Sequence, residues 1–125
     1  MFLAPLFGFA DIAKITPADA AKLVADGKAV LVDVREPSEW HETGVAAPAL
    51  LLAKSDFDGD MADDWKRFLA GNGDKEIILY CRSGKRAGIV GDALAKRGHK
   101  VANAGGFKDW QEAGLPTRKA AEPGK

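Results

Sequence analysis

The run Ala29-Val30-Leu31-Val32-Asp33-Val34 constrains the fold of this chain more than any other stretch. Aliphatic residues follow one another there with almost no polar alternation, which is the pattern of a strand covered on both faces. A strand of that kind belongs in a parallel sheet, and the flanking sequence supplies the helices. Thr16-Pro17-Ala18-Asp19 offers an N-cap, a proline at the first helical position and an acid at the third, which predicts a helix running to Gly27. Pro37 opens a short helical turn through Trp40. Residues 44–60 read mostly as loop with one apolar run at Ala49 to Ala53, and Met61 to Leu69 is amphipathic and helical. A strand over Glu76 to Tyr80 and a helix over Ala87 to Arg97 capped by Gly98 come next. A short strand over Lys100 to Asn103 and a helix over Phe107 to Ala113 ended by Gly114 complete the alternation. The expectation is an α/β fold of three layers, a mainly parallel central sheet with helices on both faces.

At 125 residues, 46% hydrophobic and 29% charged, the chain forms one domain able to bury its own core without metal or disulfide support. Its 18 basic and 18 acidic residues cancel, so no general attraction to nucleic acid or to an anionic membrane is expected. Any preference for anions must be local. A single cysteine suits a reducing cytoplasm, taken here as the location. The first ten residues, Met1 to Ala10, are apolar, lack a basic leader region and are too short to span a bilayer. Residues 1–13 therefore read as an arm that either packs across the domain surface or docks a partner or second subunit. Leu3, Leu6, Phe7 and Phe9 would make an unusual patch if left bare. The domain proper covers 14–117, and 118–125 has the composition of a frayed tail.

The lone cysteine, Cys81, stands where the apolar run Ile77-Ile78-Leu79-Tyr80 breaks into the polar turn Arg82-Ser83-Gly84-Lys85-Arg86. One thiol makes neither an internal disulfide nor a Cys-based zinc site, so its value lies in packing or in reactivity. The neighbours favour reactivity. Three cations within five residues stabilise a thiolate, and the helix expected from Ala87 points its free amides back at the sulfur. In parallel sheets the reactive groups collect at the carboxyl ends of strands, which is where Cys81 falls.

The turn after Cys81 can act as an anion cradle, because successive amides of residues 82–86 curl into a nest and Gly84 tolerates positive φ. Three kinds of cradle separate by spacing. A nucleotide P-loop needs glycine five residues before Gly84 and Ser or Thr after Lys85, where Leu79 and Arg86 stand. A cysteine phosphatase loop needs five residues between Cys and Arg; here Arg82 to Lys85 intervene, and Ala87 occupies the phosphatase arginine position. The tighter cradle suits a terminal sulfur atom better than a phosphoryl group.

Three segments together resemble the rhodanese sulfurtransferase family. They are Leu31-Val32-Asp33-Val34-Arg35-Glu36-Pro37-Ser38-Glu39-Trp40, then Tyr80-Cys81-Arg82-Ser83-Gly84-Lys85-Arg86-Ala87, then Gly105-Gly106-Phe107-Lys108-Asp109-Trp110 followed by Gly114-Leu115-Pro116. With their spacing they span residues 14–117. The resemblance implies a single-domain rhodanese fold, a persulfide on Cys81, and a six-residue active loop from Cys81 to Arg86. Thiolate Cys81 would take the outer sulfur of a small anionic donor such as thiosulfate and pass it to cyanide or to a thiol, a protein thiol included. Arg82, Ser83, Gly84, Lys85 and Arg86 would bind substrate, and no metal or organic cofactor is implied. The pattern departs at Gly44-Val45-Ala46-Ala47-Pro48-Ala49, where the family commonly shows Gly-His-Ile-Pro-Gly-Ala; the missing histidine is not the family's nucleophile. The alternative function is a sulfur-carrier, docking or sensor module with little small-molecule turnover, which more often loses the cysteine. Arsenate reduction or phosphate hydrolysis on the same fold is disfavoured by the loop length.

Other groups read as structural. His41 and His99 are too few and too far apart in sequence for a metal site. Asp33 and Arg35, at the end of a strand next to the active one, read either as hydrogen-bonding support or as an ion pair. Trp40, Phe107 and Trp110 line or support the pocket by family position, with most of their contribution expected from core burial. Asp56, Asp58, Asp60, Asp63 and Asp64 lack the glycine and terminal glutamate of a calcium loop and read as a solvated turn.

Overall fold

Each interior strand of this protein carries apolar side chains on both of its faces, and the helices divide between those faces accordingly. The computed structural model describes residues 12–120. In chain order the elements are β1 (Ala13–Lys14), α1 (Pro17–Ala25), β2 (Ala29–Asp33), α2 (Pro37–Thr43), β3 (Val45–Ala46), β4 (Leu50–Leu51), α3 (Lys54–Phe57) and α4 (Asp63–Gly71). They continue with β5 (Glu76–Cys81), α5 (Lys85–Lys96), β6 (Val101–Gly106), α6 (Phe107–Glu112) and β7 (Thr117–Arg118). Five strands form one parallel sheet in the order β1-β6-β5-β2-β4, while β3 and β7 pair antiparallel beside it.

Alternation along β5 assigns the layers. Ile77, Leu79 and Cys81 pack with Trp65, Phe68, Val90 and Leu94 from α4 and α5, whereas Ile78 and Tyr80 pack with Ala20, Phe107 and Trp110 from α1 and α6. The three-layer α/β expectation therefore holds. Thr16 caps α1 by accepting the Asp19 amide at 3.1 Å, and Gly27 takes the left-handed φ of 74° after its end.

Several boundaries differ from the sequence expectation. α2 runs to Thr43 rather than stopping at Trp40, and the stretch read as loop holds two short strands and α3. α5 begins at Lys85 instead of Ala87, and β6 extends to Gly106 instead of Asn103. The expected domain limits at 14 and 117 each fall inside a two-residue strand. Arg118, placed in the tail by composition, pairs with Val45 and donates from Nε to Ala47 O at 3.0 Å and from its terminal nitrogen to Ala49 O at 2.7 Å. The apolar arm up to residue 11 and the tail beyond residue 120 lie outside the described residues. Among the described residues no helix is long and apolar enough to cross a membrane.

Candidate functional site

Strand β5 delivers Cys81 to the carboxyl end of the sheet, fully buried on the α5 face. The chain then turns within three residues. Arg82 and Ser83 are exposed, and Gly84 adopts φ 96° and ψ −14° as the residue preceding α5. That left-handed conformation favours glycine. A Cβ there would also stand 3.3 Å from the Gly105 Cα. The turn directs two amides at the sulfur: Gly84 N–H donates to Cys81 Sγ at 3.0 Å and Ala87 N–H at 3.4 Å. Both belong to the amino end of α5, where first-turn amides have no acceptor inside the helix and the dipole favours negative charge.

The six residues read as one loop divide between the turn and α5. Lys85 and Arg86 form the first turn of α5 rather than part of the loop, and Ala87, one position beyond the expected loop, supplies the second amide. Arg86 is committed to Glu39 by a two-pronged pair, 2.6 Å and 2.9 Å. The Arg86 guanidinium holds the Glu39 carboxyl at about 2, against the opposing effect of burial and with help from the Glu36 amide. Arg86 is correspondingly raised above its ordinary value, chiefly by its hydrogen bonds to Glu39. Arg82 instead faces a cavity of about 240 Å³ that Glu42, Phe107 and Lys108 also line. On the other side of the turn, Ser83 and Gly84 border a cavity of about 320 Å³ with Lys14, Ile15, Asn103 and Asp109. Lys85 is exposed.

At the carboxyl end of β2, Asp33 and Arg35 form a buried ion pair that also hydrogen-bonds its surroundings. Arg35 Nε bonds both Asp33 carboxylate oxygens at 3.1 Å, and its terminal nitrogens reach Asp33 at 2.8 Å, Thr43 Oγ1 at 2.9 Å and the Gly44 carbonyl at 2.9 Å. The guanidinium lies over the Phe107 ring at 4.5 Å and the Tyr80 ring at 5.8 Å. Burial disfavours its charge, but the hydrogen bonds and negative charge of Asp33 outweigh that and raise its pKa. Tyr80 is raised as well, by burial first and by Asp33 second, so its phenol stays neutral while accepting the Ala46 amide at 2.9 Å. These groups tie β2, α2 and β5 together.

Two participants escaped the sequence reading. Glu39 gave no signal beyond an acid in a helical first turn. Asn103 bridges β6 to the turn, and its signal was a polar residue in a strand of small residues just before a double glycine, a combination that marks irregular strand ends. Trp110 is core, with Nε1 donating to Pro116 O at 2.8 Å, and Phe107 stacks on Tyr80. Trp40 is half-buried in α2. His41 borders a separate cavity with Arg118 and Lys119, and the His99 amide bonds Leu94 O, so neither histidine joins Cys81. In the acidic cluster, Asp58 pairs with Lys54 and Asp64 with Arg67. No group of three or more His, Cys, Asp or Glu among the described residues is arranged to hold a metal ion.

Comparison with known proteins gives a consistent picture. The rhodanese-like domain family matches residues 16–113. The thiosulfate sulfurtransferase GlpE of Actinobacillus succinogenes is 30% identical over 109 residues, 86% of this chain and 91% of the relative. The thiosulfate:glutathione sulfurtransferase of Saccharomyces cerevisiae is 31% identical over 96 residues, 71% of this chain and 69% of the relative. Across the curated relatives it matches, the chain spans between 66% and 91% of their length. The crystal structure of a rhodanese-related protein from Thermoplasma volcanium superposes with a TM-score of 0.71 at 25% identity, covering 86% of this chain and 99% of the other.

Proposed function

The chain belongs to the rhodanese family, and from that premise we propose that it transfers sulfane sulfur from an anionic donor such as thiosulfate to a thiol or to cyanide through a persulfide on Cys81. Similarity to proteins named sulfurtransferases supports the reaction class. The observation that carries the mechanism is the pair of amides from Gly84 and Ala87 converging on one sulfur atom. In the first half-reaction thiolate Cys81 attacks the outer sulfur of thiosulfate. A sulfur–sulfur bond forms to Cys81, the original one breaks, and sulfite leaves with the electron pair. The resulting Cys81 persulfide carries its charge on the terminal sulfur, close to the same amides. In the second half-reaction an acceptor thiolate or cyanide takes that sulfur, and Cys81 leaves as the thiolate. Both steps are displacements at sulfur in which the leaving group takes the electron pair, so the scheme needs no external oxidant or reductant.

Arg82 and Lys85 are the loop cations with charge available to the donor, since Arg86 is engaged by Glu39. Ser83 and Gly84 border the other approach to the sulfur, and Lys85 adds positive field at the rim. The domain framed by β1 and β7 carries the chemistry, and a reducing cytoplasm is the compartment that keeps Cys81 a thiol between turnovers. Steady-state rates with thiosulfate and cyanide varied together test the scheme. Parallel reciprocal plots are expected from a covalent intermediate formed before the acceptor binds. Absence of turnover with cyanide and with glutathione would instead favour a carrier or docking module.

A further inference from the structure

We propose that Asn103 is a positioning residue that holds the Gly84 amide on the Cys81 sulfur, an inference that deepens the sulfur-transfer reading and rests on it. The problem it answers is conformational. Glycine is chosen at 84 because φ 96° is open to it, yet the same freedom opens many other conformations in which its N–H points away from Sγ. Something outside the turn must select this one.

The turn lies on a floor without side chains. A Cβ on Gly106 would run into the Arg82 carbonyl, and Gly105 Cα sits beneath Gly84. The floor exists because β6 is irregular here: Leu79 pairs with Asn103 but Cys81 pairs with Gly106, so β6 spends an extra residue beside the active strand. From the last regular position before that irregularity, the Asn103 side chain reaches the turn. Its Nδ2 donates to the Gly84 carbonyl at 2.9 Å, alongside the first helical bond of α5 from Gly88 N–H, also 2.9 Å. Its Oδ1 accepts the Gly105 amide at 2.9 Å. Because a backbone N–H can only donate, that bond fixes which end of the carboxamide is oxygen and turns the nitrogen toward Gly84. A continuous chain therefore runs from Gly105 N–H through Asn103 and Gly84 to Cys81 Sγ. No other side chain among the described residues donates a hydrogen bond to the turn's backbone.

Two variants test this. Asn103→Ala removes the strut while β6 keeps its backbone ladder, and thiosulfate turnover is expected to fall about tenfold with Tm shifted by only a few degrees. Asn103→Asp keeps the acceptor for Gly105 but sets a carboxylate oxygen against the Gly84 carbonyl, so at pH 8 it should lose more than the alanine variant. Protonation restores a donor. Relative to wild type at each pH, Asn103→Asp activity should climb as pH falls from 8 to 5, while the Asn103→Ala ratio stays flat. Lys14 and Asp109, which border the same cavity, and Cys81 and Arg86 are present in all three proteins, and the alanine variant is the control for them. A merely structural role would show lowered Tm with matching ratios for both variants at every pH, and would overturn the proposal. A readout independent of sulfur chemistry is the backbone amide NMR signals of Gly84 and Ala87. Both should move in Asn103→Ala, and unchanged signals would also overturn it. If wild type forms no persulfide yet these signals move, the positioning role stands and the sulfur-transfer reading fails.

Discussion

Two side chains near the sulfur, Arg82 and Arg86, carry the same charge and do different work. Arg86 spends its charge on Glu39, and the pair is about three-quarters shielded from solvent, which makes it a stabilising contact. Because Glu39 is held at about 2 against an ordinary 4.5, its contribution is fully present above the ordinary value and is lost as pH falls toward 2. Glu39→Gln should therefore cost about 1–2 kcal/mol at pH 7 after allowance for solvent screening, and that deficit should shrink between pH 4 and pH 2 in urea titrations. A deficit independent of pH would show that the pair's charge is not what stabilises. Among the described residues Arg82 has no such partner, and it lines a cavity of about 240 Å³. Arg82→Gln should raise KM for thiosulfate about three- to tenfold with kcat little changed, and added salt should narrow the gap. The sequence announced both arginines but not their division of labour. That division depends on Glu39, 47 positions away from Arg86, and contacts at such separation leave no local pattern.

At the scale of elements, long and buried stretches were legible and short or charged ones were not. The strands around Ala29 and Glu76 carry enough aliphatic residues to announce themselves, and so does the proline-capped α1. The two-residue strands β1, β3, β4 and β7 offer no periodicity to detect, and pairing alone defines them. The start of α5 was misread because Lys85 and Arg86 oppose the positive end of a helix dipole, which argues for loop. The structure resolves that conflict by neutralising Arg86 with Glu39. With the helix starting at Lys85, the turn holds only Arg82, Ser83 and Gly84, and this tightness brings the Ala87 amide to the sulfur. Inserting one glycine between Gly84 and Lys85 should withdraw that amide and lower thiosulfate turnover at least about tenfold, roughly 1.4 kcal/mol of barrier. The insertion also creates the Cys-x5-Arg spacing of phosphoryl-transfer loops. Unchanged kinetics in a folded insertion variant would mean that loop size does not select sulfur.

Across the whole molecule, the active end of the sheet is held by polar groups where the rest of the core is apolar. Asp33 and Arg35 are the buried charged residues among those described, and they tie β2 to Thr43 and Gly44 while Tyr80 links the same cluster to Ala46. Nothing in the strand pattern around Asp33 distinguishes such a pair from an exposed strand end. Asp33→Ala would leave Arg35 buried without its counter-ion and should cost about 3–5 kcal/mol in chemical denaturation, a large share of the roughly 5–15 kcal/mol typical of a domain. A loss below about 1 kcal/mol would show that water reaches the guanidinium. The central proposal is that Cys81 carries sulfur covalently. Intact mass after brief incubation with thiosulfate tests it most directly. Wild type is expected to gain one sulfur atom and to lose it on adding cyanide with thiocyanate released, and Cys81→Ser to gain nothing. A wild-type mass unchanged by thiosulfate, or a gain that survives in Cys81→Ser, would contradict it.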